Sequence, residues 1–255
     1  MELSKSWTFG IITDGKDIDR LKSIIKSIIS QNISIFEILI ITDQIPKIDS
    51  DHRLKIIKFD LKENIDNKNI FPISRKKNLI IKNSQYENIC FLHDYVVLCD
   101  DWYKGFLKFN HNNEWKIFTN RVEDENGNRA LDWIVYDHFI TYKKITFLPY
   151  DININKYQCL VGYYWCAKKE VMIKFPLNES LLWGQSEDIE WSKRVRKEIK
   201  FSFNNFSKVR FIKKKEGIWA KNHPRHKKLI FRTNILKNYL NIIRRIKKLI
   251  FLNEK

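Results

Sequence analysis

The sequence predicts an α/β domain built on a mostly parallel sheet with helices on both faces, followed by a C-terminal amphipathic helix. Strand and helix patterns alternate through the first two-thirds of the 255 residues. The predicted strands are near-continuous runs of Ile, Leu and Val, which is typical of strands that are buried on both faces. Gly and Pro number only 7 and 5, so long flexible linkers are not expected. We therefore divide the chain into a domain at 1–226 and a basic helix at 227–255.

The elements follow one another from the N-terminus. Residues 7–13 (WTFGIIT) predict a buried strand, and Asp17 is a suitable N-cap for a helix whose apolar residues from Ile18 to Ile29 have helical spacing. Beyond Trp115 the pattern is less regular, and the aromatic-rich segment 130–160 gives no clear element. The other predicted strands are 36–42, 54–59, 88–92, 115–122, 161–168 and 201–212, and the other predicted helices are 74–83, 169–174 and 187–198.

Composition excludes several classes of protein. Hydrophobic residues make up 44% and aromatic residues 14% of the chain, which is too much for a disordered protein. No stretch reaches the roughly 18 apolar residues of a membrane span, and residues 1–5 do not resemble a signal peptide. The four cysteines form no Cys-x-x-Cys pair and no zinc-site spacing. We therefore expect free thiols and a cytoplasmic protein, with the inner face of a membrane as a further possible location.

The net charge of +17 is concentrated at the C-terminus. From Ser207 onward there are sixteen lysines and arginines against two acidic residues, which accounts for +14 of the total. Residues 227–252 combine this charge with apolar residues at three- and four-residue steps. The pattern favours a helix that binds an anionic membrane surface. Packing on the domain and pairing with a second protomer remain alternatives, and nucleic acid is a weaker one because no recognised nucleic-acid motif is present.

Polar residues follow three of the predicted strands. Thr13 and Asp14 come after the first strand, Asp43 after the second and Asp94 after the fourth. Ligands of open α/β sheets bind beyond the carboxyl ends of the strands, so these side chains are candidates for a common site. A single aspartate in such a position is commonly only a turn former.

Four short motifs occur in an informative order. They are 74–78 (SRKKN), 89–98 (ICFLHDYVVL), 183–192 (WGQSEDIEWS) and 223–226 (HPRH). Together they resemble the family 2 glycosyltransferases, which have a GT-A (Rossmann-like) fold, over roughly residues 7–226. The triplet His93-Asp94-Tyr95 carries one carboxylate where the stronger family pattern has two.

The resemblance implies a nucleotide-sugar donor, UDP-linked in the commonest case, and a divalent cation, Mn²⁺ or Mg²⁺. Asp94 would hold the cation against the diphosphate, and His223 would complete the metal site. Hard cations of this kind prefer oxygen ligands. The other nucleotide contacts that the resemblance implies are Thr13, Asp14, Asp43, Arg75, Lys77 and Asn78. The charge run at 75–77 could equally be a solvated helix face.

The resemblance also implies inverting transfer to a hydroxyl of a glycan or lipid-linked acceptor. Asp188 would be the base that removes the hydroxyl proton, and Glu187 would orient the acceptor. Both residues would equally suit a solvated acidic helix start. The sugar- and acceptor-binding candidates are Gly162, Tyr164, Trp165, Trp183 and Gly184, although the rings of Tyr164 and Trp165 could instead fill the core.

Two other functions are alternatives, of which the first is disfavoured by the sequence. A sugar-nucleotide pyrophosphorylase would need a glycine-rich phosphate loop after the first strand, whereas Gly10 and Gly15 are isolated here. A relative that binds nucleotide-sugars without catalysis remains open because the 93–95 triplet departs from the family pattern.

Overall fold

A mixed eight-stranded sheet forms the centre of the molecule. The computed structural model describes residues 6–60, 71–111, 114–213, 221 and 223–253, with side chains as far as residue 250. Its strands are β1 (Trp7–Thr13), β2 (Phe36–Thr42), β3 (Leu54–Lys58), β4 (Asn88–His93), β5 (Val96–Leu98), β6 (Ile117–Glu123), β7 (Ile134–Val135), β8 (Thr146–Phe147), β9 (Gln158–Cys159), β10 (Tyr164–Lys168) and β11 (Phe201–Phe211). Its helices are α1 (Ile18–Ile29), α2 (Ile73–Asn83), α3 (Trp102–His111), α4 (Lys169–Lys174), α5 (Glu187–Val195) and α6 (His226–Asn253).

The strand order of the large sheet is β3-β2-β1-β4-β10-β6-β11-β5. Strands β3, β2, β1 and β4 are mutually parallel, as the sequence predicts. Strand β10 runs antiparallel between β4 and β6, and β5 runs antiparallel to β11. Because β10 is reversed, the loop that precedes it lies at the same edge as the carboxyl ends of β1, β2 and β4.

Helices cover both faces of the sheet. One apolar core joins the sheet to α1 and α3, and the other joins it to α2, α4 and α5. Alternate residues of β1 enter different cores, with Phe9 and Ile11 in the first and Ile12 in the second. The predicted cap of α1 is confirmed, because the Asp17 side chain accepts a hydrogen bond from the Arg20 N–H at 3.0 Å.

The segment at 130–160 forms a second, small sheet. Strands β7, β8 and β9 pair antiparallel in the order β8-β7-β9, and two single 3₁₀ turns lie at Phe139–Thr141 and Asn155–Tyr157. Each strand contains two residues, which is too short to produce an alternating pattern in the sequence. This segment contributes Leu131 and Ile134 to one wall of the site described below.

Helix α6 extends one residue beyond the predicted 227–252 at each end. Its first half packs on the domain through Leu229 and Leu236, which are fully buried. Arg232 donates a hydrogen bond to the Ile145 carbonyl at 3.2 Å. Within the described residues, every helix is too short or too polar to cross a bilayer. The proposed division of the chain at residue 226 stays a prediction.

Candidate active site

Asp94 lies directly after β4 and is held by the end of β1. The Thr13 hydroxyl donates a hydrogen bond to Asp94 Oδ2 at 2.8 Å and accepts one from the Gly15 N–H at 3.0 Å. This arrangement arises because β1 and β4 are parallel neighbours, so that their carboxyl ends adjoin. Two of the residues that the sequence singled out are therefore in direct contact.

Asp94 lines a pocket of about 310 Å³ that we call the donor pocket. Its charged residues are Asp14, Arg20, Asp94 and Lys213, and its other residues are Ile12, Phe71, His93, Tyr95 and Trp183. Burial raises the pKa of Asp94, while the Thr13 hydrogen bond and the charges of Arg20 and Lys213 oppose this rise. The donor pocket thus combines carboxylates with cations that can face a diphosphate.

Asp188 lies in the first turn of α5 and accepts two backbone hydrogen bonds. The Gly162 N–H donates to Oδ2 at 2.7 Å, and the Ile189 N–H donates to Oδ1 at 2.8 Å. Burial and the neighbouring carboxylate of Glu187 raise the pKa of Asp188 to about 6, although Lys77 and the two N–H groups oppose the rise. A carboxylate with this pKa is suited to take up a proton near neutral pH.

Glu187 is buried beside Asp188 and is paired with a lysine from α2. The Lys77 ammonium lies 3.4 Å from Glu187 Oε1 and donates to the Gly162 carbonyl at 2.7 Å. Gly162 is thus enclosed by charged groups, and a Cβ there would lie 2.8 Å from Glu187 Oε1 and 3.2 Å from Asp188 Oδ2. Only glycine fits at this position without displacing the carboxylates.

Asp188 and Glu187 line a second pocket, of about 300 Å³, that we call the base pocket. Its walls are largely apolar and include Leu131, Ile134 and Ile145 of the small sheet region. His93, Tyr95 and Trp183 line both pockets, so the two adjoin. The His93 ring nitrogen Nδ1 lies 3.1 Å from the Tyr95 hydroxyl, within hydrogen-bond distance.

The turn before α5 places Trp183 at this junction. Trp183 is 64% exposed. Gly184 and Ser186 both have left-handed backbones, with φ of +85° and 60°. Glycine adopts such a φ without strain, so Gly184 is suited to reverse the chain between Trp183 and α5. The motif at 183–192 therefore places an exposed indole beside two carboxylates.

Lys76 is a buried residue at the donor side that the sequence analysis did not select. Its ammonium donates to the Thr13 carbonyl at 2.7 Å and lies 2.7 Å from Asp43 Oδ1. Burial lowers the pKa of Lys76, and Asp43 opposes this shift. Lys76 and Lys77 follow Ile73 and precede Ile80 at three- and four-residue steps. That spacing is a sequence signal that could have placed both lysines on the buried face.

Comparisons with known proteins bear on this arrangement. No protein-family model and no curated protein matches the chain. Among solved structures, that of GalNAc-T7 with UDP, GalNAc and Mn²⁺ superposes with a TM-score of 0.60 at 14% identity, over 94% of this chain and 48% of that one. S. aureus TarS 1–349 in complex with UDP-GlcNAc gives 0.53 at 11% identity, over 88% and 69%.

The chain has the GT-A fold. It spans about half of the GalNAc-T7 chain and, in a second TarS 1–349 structure, 60% of that chain. The family 2 assignment within the GT-A fold stays a prediction.

Three of the residues predicted to contact the nucleotide lie away from the donor pocket or have other partners. Asn78 donates to the Leu177 carbonyl at 3.0 Å and to Glu179 Oε1 at 2.8 Å, so it joins α2 to the 177–179 segment. Arg75 is half-buried and, like Asn78, lines neither pocket. Asp43 is paired with Lys76. The structure therefore gives Asn78 and Asp43 structural partners rather than open faces.

Two aromatic candidates are core residues. Tyr164 is 1% exposed, and its hydroxyl accepts a hydrogen bond from the Trp102 indole at 3.0 Å. Trp165 is fully buried against Phe91 and Trp191. Neither ring presents a face to a sugar, so the stacking role was wrong for both. The rings that do line the pockets are those of Phe71, His93, Tyr95, Tyr163 and Trp183.

The donor pocket partly fits the divalent cation of GT-A enzymes. Asp94 and Asp14 provide carboxylate oxygens to one pocket, and Mg²⁺ is commonly held by one or two carboxylates plus phosphates and water. In the described part of the chain, no three His, Cys, Asp or Glu residues form a cluster that could hold a metal alone. His223 Nδ1 accepts a hydrogen bond from the Arg225 N–H at 3.1 Å, and its role as a ligand stays a prediction.

Proposed function

We propose that the chain is a glycosyltransferase that moves a sugar from a UDP-linked donor to a hydroxyl of a glycan or lipid-linked acceptor. The observation that carries this proposal is the pair of adjoining pockets. One combines carboxylates with Arg20 and Lys213, and the other contains a carboxylate whose pKa is raised to about 6. Solved structures of similar fold that contain UDP, GalNAc and Mn²⁺, or UDP-GlcNAc, support the same interpretation.

In this proposal the acceptor hydroxyl lies in the base pocket next to Asp188. Asp188 takes the hydroxyl proton as the oxygen attacks the anomeric carbon of the donor sugar. The bond between that carbon and the diphosphate oxygen breaks, and its electron pair leaves with the nucleoside diphosphate. Attack from the face opposite the leaving group inverts the anomeric carbon. Glu187, paired with Lys77, orients the acceptor.

Negative charge accumulates on the departing diphosphate in the donor pocket. Arg20 and Lys213 line this pocket and can stabilise that charge. A bound Mn²⁺ or Mg²⁺ ion, held by Asp94 with Asp14 beside it, would neutralise further diphosphate charge. Trp183 lies between the two pockets, where its exposed ring suits the C–H face of a sugar.

Calorimetric titration with UDP and GDP, with and without Mn²⁺, tests the donor site. We expect UDP to bind in the presence of Mn²⁺ and Asp94→Ala to weaken this binding at least about tenfold, because the nucleotide loses a metal-holding carboxylate. Asp49→Ala, at an exposed aspartate that lines neither pocket, is the matched control. The proposal is wrong if neither nucleotide binds under any metal condition. Release of UDP from UDP-GlcNAc or UDP-GalNAc with an acceptor then separates an enzyme from a non-catalytic binder.

A further inference from the structure

Helix α6 has one apolar face that is buried and a second that is exposed. Leu229 and Leu236 of the buried face are inaccessible to solvent. The second face is about half exposed or more at each of its large apolar residues, which are Phe231, Ile242, Ile246, Leu249 and Ile250. Packing on the domain therefore explains the first apolar face but leaves the second without a function.

The exposed face continues onto the domain. The ring of Tyr239 lies 5.7 Å from the ring of Phe139, which is 59% exposed, and Tyr142 nearby in the chain is 70% exposed. Tyr239, Ile242, Ile246 and Leu249 follow one another at steps of three and four residues, so they share one stripe of the helix. We call the stripe 239–250 together with the loop 139–144 the tail surface.

The tail surface is bordered by cations. Lys143 and Lys144 are exposed at the end of the loop. Residues 226–250 contain no acidic residue. From residue 237 onward, the exposed cations of α6 are Lys237, Arg244, Arg245, Lys247 and Lys248, of which Arg244 also pairs with Asp151. Apolar side chains beside a predominantly basic border are typical of helices that lie in an anionic membrane interface.

We propose that the tail surface binds an anionic phospholipid bilayer. The apolar stripe and the aromatic loop would enter the headgroup region, and the lysines and arginines would contact lipid phosphates. An anionic bilayer accounts for both the exposed apolar side chains and the positive charge of the tail surface. A second protein copy would cover the stripe but would bring the cations of two helices together. Nucleic acid would match the charge but would leave the apolar stripe in water.

The position of α6 relates the tail surface to the base pocket. Arg232 of α6 donates a hydrogen bond to the carbonyl of Ile145, and Ile145 lines the base pocket. A bilayer on the tail surface would thus lie close to the pocket where the acceptor is proposed to bind. If the proposed function holds, this placement favours a lipid-linked acceptor over a soluble glycan.

Co-sedimentation of the full chain with vesicles tests the membrane proposal without requiring activity. We expect the chain to bind vesicles of phosphatidylcholine mixed with phosphatidylglycerol, not to bind phosphatidylcholine alone, and to bind less as salt is raised. The double variant Ile246→Gln, Leu249→Gln should lower the bound fraction roughly tenfold or more, because two apolar side chains no longer enter the interface. Ile173→Gln, at a comparably exposed isoleucine of α4, is the matched control and should bind as the unmodified chain does.

The charge contribution is tested separately. Lys247→Gln with Lys248→Gln should weaken binding to the anionic vesicles, whereas Lys104→Gln on α3 should leave it unchanged. Circular dichroism and UDP binding show whether each variant is folded. The proposal is overturned if the chain binds neither vesicle, or if the double apolar variant binds as well as the control. It is also overturned if that variant abolishes a dimer, or a complex with RNA, while vesicle binding is absent.

Discussion

The donor pocket and the base pocket are each built around an aspartate, but the two carboxylates have different surroundings. Asp94 is held by the Thr13 hydroxyl and shares its pocket with Arg20 and Lys213. Asp188 is held by two backbone N–H groups beside a second carboxylate, in a largely apolar pocket. The first surroundings suit a carboxylate that faces a phosphate or cation. The second suit a group that exchanges a proton near neutral pH.

Adjacent lysines of α2 support the two pockets. Lys76 reaches the end of β1 and Asp43 on the donor side, and Lys77 reaches Glu187 and Gly162 on the base side. Both side chains are almost completely buried. Two adjacent residues of α2 therefore hold the end of β1 at the donor pocket and pair with the Glu187 carboxylate at the base pocket.

The largest expected effect comes from Asp188→Asn. The amide has almost the same shape but cannot take up the acceptor proton, so transfer should fall by about 10²–10⁴-fold. UDP binding should be unchanged because Asp188 does not line the donor pocket. Initial rates of UDP release, with calorimetry on the same sample, measure both quantities. Glu190→Gln, on the same helix but half-exposed and outside both pockets, is the control. Retained transfer in Asp188→Asn would show that the base is another residue.

Gly162→Ala should disturb only the base pocket. The added Cβ would lie 2.8 Å from Glu187 Oε1, so the carboxylates must shift by a few tenths of an ångström or more. Misplacement on this scale should lower transfer roughly 10²-fold, while UDP still binds. Steady-state kinetics should show the loss mainly in kcat. An equal loss of UDP affinity would mean that the two pockets are not independent.

Substitution of Lys77 should change the pH dependence of transfer, whereas substitution of Lys76 should not. In the unmodified chain, transfer should fall as pH drops below about 6, because Asp188 is then protonated. Lys77 lowers the pKa of Asp188, so Lys77→Met should move the midpoint upward and lower transfer roughly tenfold at pH 6. Lys76→Met should leave the midpoint nearly unchanged, because the Lys76 ammonium contacts Thr13 and Asp43 rather than the carboxylates of the base pocket.

A double variant controls for the buried charge that Lys77→Met leaves on Glu187. Adding Glu187→Gln removes that charge and also removes the carboxylate that raises the pKa of Asp188. The midpoint of the pH profile should therefore return toward its original value. If Lys76→Met shifts the profile as far as Lys77→Met does, the division between the two lysines is wrong.

Much of the sheet could be predicted from the sequence because its strands are long and apolar. Strands β1 and β2 have the predicted bounds, and β4 ends one residue later than predicted. The junction of Asp94 with Thr13 followed from the rule that parallel strands end at one edge. The start of α5 at Glu187 was also predicted, and the acidic pair there lies in a pocket.

Other features depend on tertiary contacts that the sequence does not display. A run of basic residues normally indicates a solvated helix face, yet Lys76 and Lys77 are buried because α2 packs on the sheet and each ammonium has an acidic partner. Tyr164 and Trp165 were ambiguous because glycine and aromatic residues occur both in sugar sites and in cores. Tyr95 lines the site but was not predicted to do so, because only Asp94 of the 93–95 triplet matches the family pattern.

The reversed strand β10 also determines when the molecule can acquire its site during folding. The units β1, α1 and β2 contact one another over short stretches of chain and can form early. The contact between Lys77 and Glu187, in contrast, closes a separation of 110 residues, and that between Thr13 and Asp94 closes one of 81. Gly162 lies just before β10, which pairs with β4, so its contact with Asp188 needs both β10 and α5 in place. A nascent chain that ends before α5 therefore has most of its sheet but lacks its base pocket.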